Sequence, residues 1–194
     1  MKKKIFIALI IVLLVIIAGC NTTMGTKEVD MENSADSTLA ISDYFPFKEN
    51  TIYDYEGIGN EFAEQKIYFE FIEGNRAQLK IINPATNVVK LIEHGDGLIS
   101  EIYFEGEFYH IENLLDSKGE QNNILLKEPL VLGNSWTTVD GYNRSITDLE
   151  AEITTPMDSY KALEVTTDLG EDRSQKQYYV RDIGMVASIY EDGS

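Results

Sequence analysis

KIYFEFIEGNRAQLKIINPATNVVKLIEHGDGLISEIYFEGEF, residues Lys66–Phe108, decides the fold class. Ile67, Phe69 and Phe71 alternate with Lys66, Tyr68 and Glu70; Gly74-Asn75 interrupts, and Ala77, Leu79 and Ile81 resume the alternation. Successive side chains of a strand point to opposite faces, so a period of two broken by a Gly-Asn pair predicts a hairpin. Pro84 ends the second strand and Val88–Ile92 supplies a third. Gly95-Asp96-Gly97 then turns the chain, and Leu98, Ile102 and Phe104 lie on a fourth strand. Gly106 turns once more into Glu107–Glu112, a fifth.

The same style returns further on. Ser135–Val139, Ser145–Thr155, Tyr160–Thr167, Lys176–Arg181 and Met185–Tyr190 read as strands, with Pro156–Ser159 and Leu169–Arg173 as turns. Leu114–Leu126 reads as a short helix or an irregular crossing. The expectation is an all-β domain over 42–194: an antiparallel meander of about ten strands, either a curved sheet or half-barrel or a sandwich. Two similar halves are a further option. Pro46-Phe47-Lys48-Glu49-Asn50-Thr51-Ile52-Tyr53 and Pro129-Leu130-Val131-Leu132-Gly133-Asn134-Ser135-Trp136 match in outline. Each places Asn or Gly four residues after Pro and a large aromatic three residues later. Asn and Gly best tolerate left-handed backbone angles, so each stretch reads as a turn delivering an aromatic into a core.

The second of these stretches resembles the opening of a recurrent module in uncharacterised bacterial secreted lipoproteins. Thr155–Val165 resembles its turn-and-strand and Tyr178–Val186 its closing segment, so the resemblance covers Pro129 to Tyr190, with a degenerate echo at Tyr44–Tyr55. It departs at Asn50 and Asp158, where Gly is usual. It implies surface localisation and a β-rich fold, and it carries over no catalytic residue.

At the other end, Lys2, Lys3 and Lys4 precede an apolar run, Ile5–Ile17, and then Ala18, Gly19 and Cys20. This is the layout of a secretory signal, and the apolar run is shorter than the ~18–20 residues of a comfortable membrane span. Ile17-Ala18-Gly19-Cys20 resembles the lipobox of bacterial lipoproteins. The resemblance implies a signal peptide at 1–19, cleavage before Cys20 and lipid on the Cys20 sulfur. Two acyl chains anchor stably where one is marginal. The polar stretch that follows, 20–41 with the lipidated cysteine included, reads as a flexible tether. The expected location is the extracytoplasmic face of a bacterial cell membrane.

The chain has 16 basic and 33 acidic residues, a formal charge of −17. Loss of the three lysines of the signal would move the charge to −20. Such a balance disfavours nucleic acid, whose phosphates call for a basic patch. Cys20 is the one cysteine, so no disulfide joins the chain to itself.

Catalytic signals are weak. His94 and His110, counted through the expected turns, fall ~16 Å apart, too far for a shared metal. There is no Gly-x-Ser-x-Gly elbow, and with 33 acids any chosen pair of carboxylates is uninformative. The acidic turns at Gly95–Gly97, Gly170–Asp172 and Glu191–Gly193 lack the spacing of a calcium loop. Tyr44, Phe45, Tyr53, Tyr55, Tyr68, Phe69, Phe71, Tyr103, Phe104, Phe108, Tyr109, Trp136, Tyr178 and Tyr179 gather on expected strands, where they build a core or line a concavity, and some of Tyr68, Tyr103 and Tyr109 should face outward. The leading expectation is therefore a non-enzymatic binding or interaction module at the cell envelope, held to the membrane through Cys20 and partnered by an envelope protein. The alternative is a carrier of a lipid or other small apolar ligand in a curved-sheet cavity. A third reading is an envelope hydrolase using two acids. No cofactor, no metal and no nucleic-acid partner is expected.

Overall fold

A computed structural model describes residues 40–59 and 63–193; Cys20, the signal and most of the tether lie outside the described residues. The chain is all-β, with eleven strands in two antiparallel sheets. Sheet 1 contains β1 (Ile52–Tyr55), β2 (Gln65–Glu73), β3 (Arg76–Ile82), β4 (Asn87–Gly95), β5 (Leu98–Gly106) and β6 (Asn123–Lys127). Sheet 2 contains β7 (Ser135–Thr137), β8 (Asn143–Thr154), β9 (Ser159–Gly170), β10 (Arg173–Val180) and β11 (Gly184–Glu191). In each sheet the spatial order follows the chain order, so each is a meander, and one sheet is curled as a half-barrel. The turns explain the tight connections. Asp96 and Gly97, at φ 52° and 70°, join β4 to β5, and Glu171 and Asp172, at 55° and 59°, join β9 to β10. Two consecutive positive φ angles make the mirror-image turn whose twist suits a hairpin.

The alternation read from the sequence sorts the two faces. Ile67, Leu79, Ile81, Ile92 and Ile99 of sheet 1 pack in one cluster with Trp136, Ile146, Leu163, Val165 and Tyr179 of sheet 2. The core thus belongs to both sheets. Side chains bonded to main chain join the two seams between them. At one seam the Trp136 indole and the Arg144 guanidinium both donate to the Ile124 carbonyl, each at 2.9 Å. At the other, the Tyr53 hydroxyl donates to the Ile183 carbonyl at 2.9 Å, and the Tyr55 hydroxyl to that of Met185 at 2.6 Å. Unpaired strand edges invite other chains, and these bonds occupy edge carbonyls that would otherwise be free.

The halves resemble one another locally. Asn50 and Gly133 both have positive φ, 57° and 82°, and each is followed by a short edge strand carrying the expected aromatic, Tyr53 on β1 and Trp136 on β7. Trp136 is buried; Tyr53 is half-buried.

Three expectations are corrected. Glu107–Glu112 is not a strand. It opens a cover segment, 107–121, that crosses the outer face of sheet 1 with its carbonyls taken by side chains of β3 rather than by a strand ladder. Arg76 donates to the Leu115 carbonyl at 3.0 Å, Gln78 to that of Glu112 at 2.8 Å, and Lys80 to those of Phe108 and His110. The Leu114 amide returns a bond to Gln78 at 2.8 Å. Of the short helix or irregular crossing expected at Leu114–Leu126, the crossing is what forms as far as Asn122, and the correction is that Asn123–Leu126 belongs to strand β6. Ile41, expected at the end of the tether, is buried in the shared core.

Candidate functional site

An apolar recess of about 120 Å³ lies between the sheets, lined from β1 to β6 on one side and from β10 and β11 on the other. It is the space left where a curved sheet meets a flatter one. Tyr53, Tyr55, Phe69 and Tyr179 supply aromatic wall, and Met185 supplies a flexible thioether. Phe45 and Pro46 add a further wall from the N-terminal strap, 40–51, which holds a single turn of 3-10 helix at Ile41–Tyr44.

The strap is fastened mostly to the β10–β11 turn. Asp43 pairs with Arg181 at 3.0 Å, and its carbonyl accepts the Asp182 amide at 2.7 Å. Lys48 donates to the Asp182 carbonyl, and the Ile41 amide to Glu128 at 3.3 Å. Phe47 and Phe45 then reach across to His94 on β4, with ring centroids 4.0 and 6.4 Å away. Burial pushes the His94 imidazole below its ordinary range, opposed by a hydrogen bond to the Phe45 backbone. Its Nε2 is buried without a hydrogen-bond partner among the described residues.

Polar groups on the recess are few and most are engaged; the Gln177 Oε1 is buried without a hydrogen-bond partner among the described residues. Lys90 and Glu101 form an ion pair at 2.6 Å, and Gln121 also donates to Glu101 at 2.8 Å. The Tyr53 and Tyr55 protons go to main-chain carbonyls, and burial raises both phenols above the usual range. Burial also pushes Tyr179 up to about 12. These hydroxyls stay neutral in ordinary conditions, and those of Tyr53 and Tyr55 act as structural donors. Gln177 donates to the Met185 sulfur at 3.4 Å.

His94 and His110 are not brought together. His94 sits under the strap and lies opposite Ile99. His110 lies off any strand, pairs with Glu112 at 3.2 Å, and offers its carbonyl to Lys80. The acidic stretches Gly95–Gly97 and Gly170–Asp172 turn between strands, whereas Glu191 ends β11 and Asp192-Gly193 makes no turn; among the described residues no group of three His, Cys, Asp or Glu is placed to hold a metal. The expected aromatic concavity exists in small form: Tyr53, Tyr55, Phe69 and Tyr179 line it, whereas Tyr109 faces outward and Trp136 is spent on the seam. Sequence reasoning missed the Lys90–Glu101 pair. Its one signal was a lysine inside Val88-Val89-Lys90-Leu91-Ile92, a charge with apolar neighbours on both sides.

Among the described residues no helix is long and apolar enough to cross a membrane. No family model, no curated protein and no solved structure matches the chain.

Proposed function

We propose that the chain is a lipid-anchored binding module on the extracytoplasmic face of a bacterial membrane, held through Cys20. One observation carries the choice of binding over catalysis. The recess is walled by apolar side chains, and the titratable groups of Tyr53, Tyr55, Lys90 and Glu101 beside it are each tied to a structural partner. A general acid or base has to exchange a proton with a substrate within hydrogen-bond reach, a role that these ties oppose. The anchor reading rests on the run from Lys2 to Cys20.

Metabolic labelling with an alkyne-bearing fatty acid tests the anchor. The full chain should take up label and fractionate with membranes, and Cys20→Ala should lose both. Label retained by Cys20→Ala would overturn the assignment. The carrier reading is favoured by the recess itself, in a reduced form. A cavity of about 150 Å³ holds one benzene, so a recess of about 120 Å³ suits one ring or a short alkyl chain rather than a whole lipid.

A further inference from the structure

Resting on the binding-module reading, we infer that the recess is a slot for a free, uncharged small molecule whose body is one ring or one short alkyl chain. Volume, the closed seams and charge carry this together.

The recess runs along the inner face of sheet 1. The strap rings of Phe45 and Phe47 pack on His94, and Phe45 lines the recess. Lys90, which also lines it, lies four residues before His94 on the same face of β4, ~13 Å away at ~3.3 Å per residue. Leu79 lies opposite Lys90, and Ile81 lies opposite Val88, on the side of Lys90 away from the strap, so the Lys90–Glu101 pair stands partway along the apolar wall.

The closed seams favour a free molecule over a side chain of a partner protein. The lining comes from both sheets, inside the shared core. A protein-borne group would have to bring its backbone between sheets whose seams are closed by Tyr53, Tyr55, Trp136 and Arg144.

Charge decides the chemical class. Lys90 and Glu101 cancel one another at 2.6 Å, and Glu101, 7 % exposed in its side chain, is held again by Gln121. An anion approaching Lys90 meets Glu101 beside it, and a cation meets the reverse. Either must also leave water for apolar walls, which is costly for an unpaired charge. A neutral body escapes both penalties. A hydroxyl tip is accommodated as well: Lys90 uses one of its three donors on Glu101, and the two phenol oxygens keep their lone pairs.

The methionines make a direct test. Met185 lines the recess, and Met157 is 90 % exposed on a turn and serves as an internal reference. The full-length lipidated protein, labelled with methyl-¹³C methionine in nanodiscs, is titrated with phenol, n-butanol, butyrate and butylammonium. Phenol and n-butanol should move the Met185 methyl resonance to saturation and leave Met157 in place. The two charged butyl probes, which share the tail, should bind at least tenfold more weakly than n-butanol. Glu101→Gln, which leaves Lys90 without its partner, should raise butyrate binding at least tenfold relative to n-butanol. Ile81→Phe should fill the slot and abolish the Met185 response.

A Met185 resonance unmoved by both neutral probes, or Met157 moving in step with it, would overturn the slot. Equal binding of the charged and neutral butyl probes would overturn the assigned class. The underlying reading is separable: cross-linking in intact cells that traps an envelope protein on the chain while Met185 stays silent would sink the slot and keep the binding module.

Discussion

The outer faces of the two sheets carry similar side chains and end in different surroundings. On β3, Arg76, Gln78 and Lys80 alternate with the core residues Ala77, Leu79 and Ile81, and Gln78 and Lys80 are fully buried. The cover segment lies over them. Beneath it a second apolar cluster forms from Leu91, Ile102 and Leu115, and the Lys80 ammonium sits 4.2 Å from the centre of the Phe108 ring. On sheet 2, Thr147 bonds to Glu164 at 2.6 Å and to Thr166 at 2.7 Å, and Lys176 pairs with Glu191 at 2.8 Å; among the described residues these pairs stay exposed, beside a small buried cluster of Ala151, Ala162 and Tyr178. Polar alternation therefore marks which face turns away from the shared core. It does not mark which face meets water. On sheet 1 the polar residues are placed to satisfy the carbonyls of an irregular segment that has no ladder of its own, as buried main chain requires.

The largest effect should come from removing one side of the comparison. A chain ended at Glu128 keeps all of sheet 1 and loses Trp136, Ile146, Leu163, Val165 and Tyr179, five of the fourteen buried residues of the shared core. It should show no cooperative thermal transition by circular dichroism. A sheet 1 that melts cooperatively by itself would mean that the sheets have separate cores.

Next in size is a contrast between the outer faces. Lys80→Met keeps the stem but deprives the Phe108 and His110 carbonyls of their donor. Leaving such buried groups unpaired should cost about 2–4 kcal/mol in chemical denaturation. Thr166→Ala, on the open face of sheet 2, should stay within about 0.5 kcal/mol. Equal losses at the two positions would erase the distinction between a covered and an open face.

The smallest effect is one of pH. His94 is held below its ordinary pKa by burial, so the unfolded chain takes up a proton at higher pH than the folded one. The stability tied to neutral His94 is whole above about pH 6.5 and declines as pH falls from there through the folded pKa, by at most about 1.4 kcal/mol per pH unit. His94→Phe should flatten that part of the stability profile. An unchanged profile would mean that the imidazole is as free to protonate in the folded chain as in the unfolded one.

The strands that follow a strict period of two were legible: β2, β3, β4, β5 and the four long strands of sheet 2 fall where alternation and turn residues place them. The matching turns at Asn50 and Gly133 were legible too, since residue type and spacing report a left-handed angle directly. The cover segment was not. Glu107-Phe108-Tyr109-His110-Ile111-Glu112 alternates tolerably well, but its partners are side chains of β3, and pattern within one segment holds no information about a long-range bond from Lys80. The recess was legible only as an aromatic tendency. Its size depends on how far sheet 1 curls, and its charge balance depends on the register that sets Lys90 near Glu101 across β4 and β5.

Native mass spectrometry of the full-length protein, compared with its denatured mass, tests binding in the recess most directly. The denatured chain should carry covalent mass alone. The native one should carry in addition the mass of a single ring-sized or short-chain molecule that leaves on gentle activation. A bare native mass, or a non-covalent partner of whole-lipid mass, would contradict a small apolar slot between the two sheets.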